Sequence, residues 1–163
     1  MQAQMYTLTR EPEDELYRKL LDEALPSCPT ALLVVRQEMP LAARGARVLD
    51  LGQLRPLLQE ASEATEWPGT RLFGGTALVY RFSYDAESST ILKEAATRLF
   101  EWLQPNLPED LCLLKPSGEP WLASIAHERD AYFSLDAPEL ENLARSLPEI
   151  RRLIRNDVRS TNL

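Results

Sequence analysis

The chain has 163 residues, 44% of them apolar and 26% charged, and a formal net charge of −7, which fits one globular domain with a sizeable core. The acidic balance argues against a nucleic-acid or anionic-membrane binder, which needs a concentrated basic surface; the basic stretch 145–159, with Arg151, Arg152 and Arg155 inside it, is interrupted by Glu149 and Asp157. No apolar run reaches the roughly 20 residues of a membrane span, no secretion signal opens the chain, and the two cysteines, Cys28 and Cys112, read as buried thiols of a reducing compartment.

Residues 5–9 read as a short first strand. Residues 11–25 carry Leu16, Tyr17, Leu20, Leu21, Ala24 and Leu25 at three-and-four spacing, the pattern of an amphipathic helix that Pro26 ends. The nearly continuous apolar run 30–36 predicts a strand buried on both faces, and 37–46 reads as a loop. Residues 48–64 are helical in spacing, with a break expected near Gly52 and a second helix carrying Pro56 in its first turn.

Trp67-Pro68-Gly69-Thr70 is a turn, and after Gly74-Gly75 the run 76–84 is the clearest long strand. Asp85 is a good N-cap for a helix over 86–104, with Ser88 and Ser89 near its start and Pro105 at its end. Three apolar runs, 111–114, 121–126 and 131–135, are separated by Pro116-Ser117-Gly118-Glu119-Pro120 and by His127-Glu128-Arg129-Asp130, the signature of a three-stranded meander. Asp136 followed by Glu139 resembles a capping box that opens a helix. Pro148 precedes a further short helix, 149–156, and 157–163 is expected to fray.

The expected fold is therefore a single α+β domain: a mixed or antiparallel sheet with a C-terminal three-stranded meander, flanked by four or five helices. Two further segments, 107–111 (Leu-Pro-Glu-Asp-Leu) and 121–128 (Trp-Leu-Ala-Ser-Ile-Ala-His-Glu), have the look of motifs.

Chemistry-bearing residues are few. His127, the one histidine, lies beside Glu128 and Asp130 and has the residue type of a general base. Strand alternation, if the strand runs on, would set His127 and Arg129 on one face and Glu128 and Asp130 on the other. Cys112 is the candidate nucleophile, although its apolar run predicts a buried thiol. One histidine without a partner four residues away does not make a zincin-type metal site, and no phosphate-binding loop, dinucleotide fingerprint or serine elbow is present. No cofactor and no metal are therefore expected.

Trp67, in a loop after Glu60, Glu63 and Glu66, is either an interface anchor or a plug at the end of the sheet. Two functions follow. The first is a non-enzymatic interaction protein of the bacterial cytosol, of the immunity type, whose Glu60, Glu63, Glu66 and Trp67 occlude a basic partner, with His127, Glu128 and Arg129 as a second polar corner. The alternative is a small hydrolase or transferase with a pocket around His127, Glu128 and Cys112. Self-association through a strand edge or the C-terminal helices stays open.

Overall fold

Every strand pairing in the main sheet is antiparallel. In a computed structural model, which describes residues 2–49 and 53–156, eight strands form one sheet and a separate two-stranded hairpin lies outside it. In chain order these are β1 (Gln4–Leu8), α1 (Glu15–Ala24), β2 (Thr30–Arg36), α2 (Ala43–Leu49), β3 (Leu58–Ala64), β4 (Glu66–Trp67), β5 (Thr70–Arg71), β6 (Ala77–Ser83) and α3 (Ala86–Ala95), then β7 (Glu109–Leu114), β8 (Pro120–Ile125), β9 (Asp130–Leu135), α4 (Ala137–Ser146), α5 (Ile150–Leu153) and β10 (Ile154–Asn156). The sheet order is β10-β1-β9-β8-β7-β2-β6-β3. The fold is the expected α+β one, and the meander β7-β8-β9 stands where the turn residues put it. Among the described residues no helix is long and apolar enough to cross a membrane.

The central strand β2 shows why the sheet needs two covering layers. Ala31 and Leu33 point into a large core closed by Leu20 and Leu21 of α1, Leu92 of α3, Leu143 of α4 and Ile150 of α5. Leu32 and Val34 point the other way, into a smaller core with Val79, Cys112 and Leu114 that Trp67 covers. Helices therefore lie on one face and the β4–β5 hairpin on the other. Gly69 turns that hairpin with φ +86°, and a Cβ there would fall 2.7 Å from Ile125, so only glycine lets the turn lie this close to the sheet.

Two helix starts follow the sequence closely. Asp85 Oδ1 accepts the Glu87 and Ser88 backbone N–H groups (2.9 and 3.0 Å), and the Asp85 N–H donates to Ser88 Oγ. Asp136 and Glu139 exchange the same reciprocal bonds at 2.9 and 3.0 Å.

Five segments depart from the sequence reading. The first helix begins at Glu15 rather than residue 11, because the Pro12 carbonyl accepts the Leu99 N–H and the Asp14 N–H donates to Thr97. The helix from residue 86 stops at Ala95; those same contacts, with the Glu13–Arg98 bridge, pull the following chain out of helical geometry. Trp102 still reaches the core, donating from Nε1 to Tyr17 Oη at 3.0 Å.

The segment read as a loop, 37–46, contains the start of α2. The expected helix after Pro56 is only a single 3-10 turn (Arg55–Leu57), followed by strand β3; the break expected near Gly52 lies outside the described residues. The expected helix 149–156 is a short α5 followed by β10, which pairs with β1. The tail 157–163 also lies outside the described residues.

Candidate functional site

The two motif-like segments meet in space. Between β2 and β7, Leu32 faces Cys112 while Val34 faces Glu109, so β7 carries one residue more than its partner. The extra residue falls at Asp110, which has φ +57°, a left-handed conformation that Asp tolerates better than most residues. Such a bulge re-aims side chains. Glu109 and Asp110 are both buried, and each places a carboxylate oxygen within 4.8 Å of the other and of a His127 ring nitrogen.

Fixed donors surround this pair. Asp110 Oδ2 accepts Trp67 Nε1–H at 2.9 Å, and Oδ1 accepts the Ala126 backbone N–H at 2.9 Å. Glu109 Oε2 accepts Arg36 Nε–H at 2.8 Å. The Arg36 guanidinium also lies 5.5 Å from the Trp67 ring centroid and 3.4 Å from His127 Nδ1. A guanidinium can only donate, so Nδ1 can serve only as the acceptor in this contact; Nε2 lies 3.7 Å from Glu128.

Gln104 holds the Arg36 backbone from both sides, accepting its N–H at 2.7 Å and donating to its carbonyl at 3.2 Å. Burial pushes both carboxyls above their ordinary range; Arg36 opposes this at Glu109, and the Trp67 and Ala126 N–H groups oppose it at Asp110.

The donor set of Glu109, Asp110 and His127 is one a divalent cation could use, and neither carboxylate was singled out as a site residue in the sequence. Arg36 already engages two of these three groups. Its guanidinium is in salt-bridge contact with Glu109 and within reach of the imidazole, and a second cation would meet its repulsion at low dielectric. The cluster is a polar network, with the Arg36–Glu109 ion pair at its centre, that ties β2, β7, the β8–β9 turn and the hairpin together.

The reactive trio expected around His127 is only partly assembled. His127 and Glu128 sit side by side on a 3-10 turn (Ala126–Glu128) rather than a continuing strand, so the alternation argument does not apply. Cys112 is fully buried against the Asp110 carbonyl at 3.2 Å. Burial pushes its thiol up to about 12, which leaves too little thiolate to attack anything. Arg129 turns away with φ +54°; it pairs with Glu11 at 3.3 Å and lies 5.8 Å from the Phe100 ring centroid. Of the second polar corner, His127 and Glu128 remain together and Arg129 does not join them.

The acidic group is differently placed. Glu60 and Glu63 stand exposed on β3, the last strand of the sheet, and Glu66 is exposed on the hairpin. Trp67 is not the exposed anchor one reading gave it. It is 6% exposed, because its ring fills the smaller core and its N–H is committed to Asp110.

The exposed aromatic is Phe73, at 98%. The Leu72 N–H donates to the Thr65 carbonyl at 2.7 Å, so Phe73 leaves the hairpin beside the end of β3. Gly74-Gly75 follows, with nothing within 4 Å of where either Cβ would be. Sequence reasoning passed over Phe73, although an aromatic set between a turn and two glycines is the pattern of a loop-borne anchor. Comparison with protein-family models, curated proteins and solved structures finds no match to this chain.

Proposed function

We propose that this chain is a non-catalytic protein-binding module of the immunity type, which covers a basic surface of its partner with the acidic strand β3 and the Phe73 loop. The observation that carries the reading is the full exposure of Phe73, which leaves the hairpin beside the end of the glutamate-bearing strand β3. A phenyl ring held in water gains the most free energy when a partner pocket desolvates it, and such aromatics carry a large share of interface energy. The segment 58–66 contains three glutamates and no lysine or arginine, so its field accelerates encounter with a positively charged partner. The polar cluster behind it contributes rigidity, because Trp67, Asp110 and Arg36 fix the hairpin from which Phe73 projects.

A photo-crosslinking residue placed at position 73, expressed in cells of the source organism, tests this. One partner should be captured from position 73 and not from position 141, an exposed site on α4. Phe73→Ser should then weaken the purified partner's binding by at least about tenfold, roughly 1.4 kcal/mol. Equal capture from both positions, or unchanged affinity in Phe73→Ser, would overturn the proposal.

A further inference from the structure

β3 is an unusual strand. Its sequence, Leu-Gln-Glu-Ala-Ser-Glu-Ala, contains residues that favour helices and no β-branched or aromatic side chain. It is exposed except at the half-buried Ser62 and Ala64, with Leu58 among the exposed large apolar residues. What holds it extended is the ladder to β6, which runs regularly from Glu60↔Arg81 to Ala64↔Ala77. Among the described residues no strand lies on its other side. That side presents the outward N–H and C=O groups of an edge strand, a template for one more strand.

Proteins commonly blunt such edges with proline, lysine, a covering element or a bulge. β3 has a register shift between Leu58 and Glu60, but its remaining stretch has no proline and no cation. Its two charges are both negative, and they discriminate between occupants. A second copy paired on the same edge would bring four carboxylates into one narrow strip, where like charges on neighbouring strands destabilise. A basic strand would find them complementary.

The register also says how the basic residues must be spaced. Glu60 is opposite Arg81 and shares the face of the smaller core with Val79 and Ala77. Glu63 is opposite Leu78, which packs on the helix-covered face. The cations already near this edge are unevenly placed: Arg81 lies 3.9 Å from Glu60, Arg71 is across the hairpin from Glu66, and Glu63 is met by the amide of Gln37 at 3.1 Å.

Resting on the protein-binding reading above, we infer that β3 accepts an extended segment of a basic partner as an added strand, with cationic side chains three residues apart, one for each face of the sheet. Seven residues at about 3.3 Å each offer roughly 23 Å of edge. That is the geometry of strand addition, in which main-chain hydrogen bonds give affinity and alternate side chains give selectivity.

The test uses the full chain, 15N-labelled, and the blocked heptapeptide Thr-Arg-Val-Thr-Arg-Val-Thr. Saturable amide shifts should centre on β3 and extend to the Phe73 loop. Peptides N-methylated at alternate residues, one for each edge, keep the charge but block pairing, and one of them should bind at least about tenfold more weakly than the parent. Moving the second arginine by one residue, so that both lie on one face, should also weaken binding, as should Glu63→Lys.

Equal binding of both methylated peptides would overturn strand addition while leaving an acidic contact face intact. Shifts centred away from β3, or no saturable shift, would overturn it as well. Neither result touches the cross-linking outcome at position 73, which judges the broader reading separately.

Discussion

Trp67→Phe is the sharpest probe of the buried network. The substitution keeps an aromatic ring in the smaller core and removes the N–H that donates to Asp110 Oδ2 at 2.9 Å. A hydrogen bond to a buried charged group is worth about 1.5–3 kcal/mol. The step from indole to phenyl removes on the order of 50 Å² of buried apolar area, about 1 kcal/mol more. The expected loss is thus about 2.5–4 kcal/mol, read as a lower urea midpoint with unchanged slope by far-UV circular dichroism.

Asp110→Asn supplies the internal control. In the parent, the Trp67 and Ala126 N–H groups both aim at the carboxylate, so an amide must turn its NH₂ toward one of them. In the Trp67→Phe background that conflict disappears. The double variant should therefore lose about 1–2 kcal/mol less than the sum of the two single losses. Additivity within about 0.3 kcal/mol, or a Trp67→Phe loss below about 1 kcal/mol, would refute the network as drawn.

The remaining predictions concern titration, backbone and thiols. Burial raises Glu109 in the fold, so the folded state holds its proton at a pH where the unfolded chain has released it. Its contribution is present below the unfolded carboxylate range and falls as pH rises through the raised folded value; urea midpoints over a pH series should show the parent losing ground to Glu109→Gln as pH increases, and the opposite slope would contradict the assignment. Gly69→Ala, with φ +86° and a Cβ 2.7 Å from Ile125, should cost more than about 2 kcal/mol in thermal unfolding, whereas Gly74→Ala, in open space, should stay below about 1 kcal/mol. Both thiols are buried and pushed up to about 12; Ellman's reagent should react with neither until urea unfolds the chain, and rapid labelling of folded Cys112 would reinstate it as a nucleophile.

Local chemistry carried much of the architecture. The capping residues Asp85 and Asp136, the two-sided apolar run of β2 and the turns around Gly118 and Arg129 each specify their geometry within a few neighbouring residues. β3 was illegible because Gln59-Glu60-Ala61-Ser62-Glu63 favours a helix and only the distant β6 makes it a strand. The end of α3 was hidden for a similar reason: Leu99 and Trp102 keep a helical spacing, but contacts with Pro12, Glu13 and Asp14 take over the backbone. For the site, the segments around Glu109-Asp110 and His127 stood out individually. Their convergence depends on a bulge at Asp110, which no periodicity announces. The exposure of Phe73 and the burial of Trp67 could not be told apart by type, since both are aromatics in turns of one hairpin connection.

The sheet order has a practical corollary for anyone handling this molecule. Gln4 and Asn156 lie in adjoining strands at one end of the eight-strand array, and β3 closes the opposite end. Seven spacings of about 4.8 Å separate β10 from β3 by roughly 34 Å. A biotin, fluorophore or carrier protein joined before Gln4 or after Asn156 by a short tether would thus sit remote from the glutamate-bearing rim, and immobilisation through either point would orient that rim toward the solution.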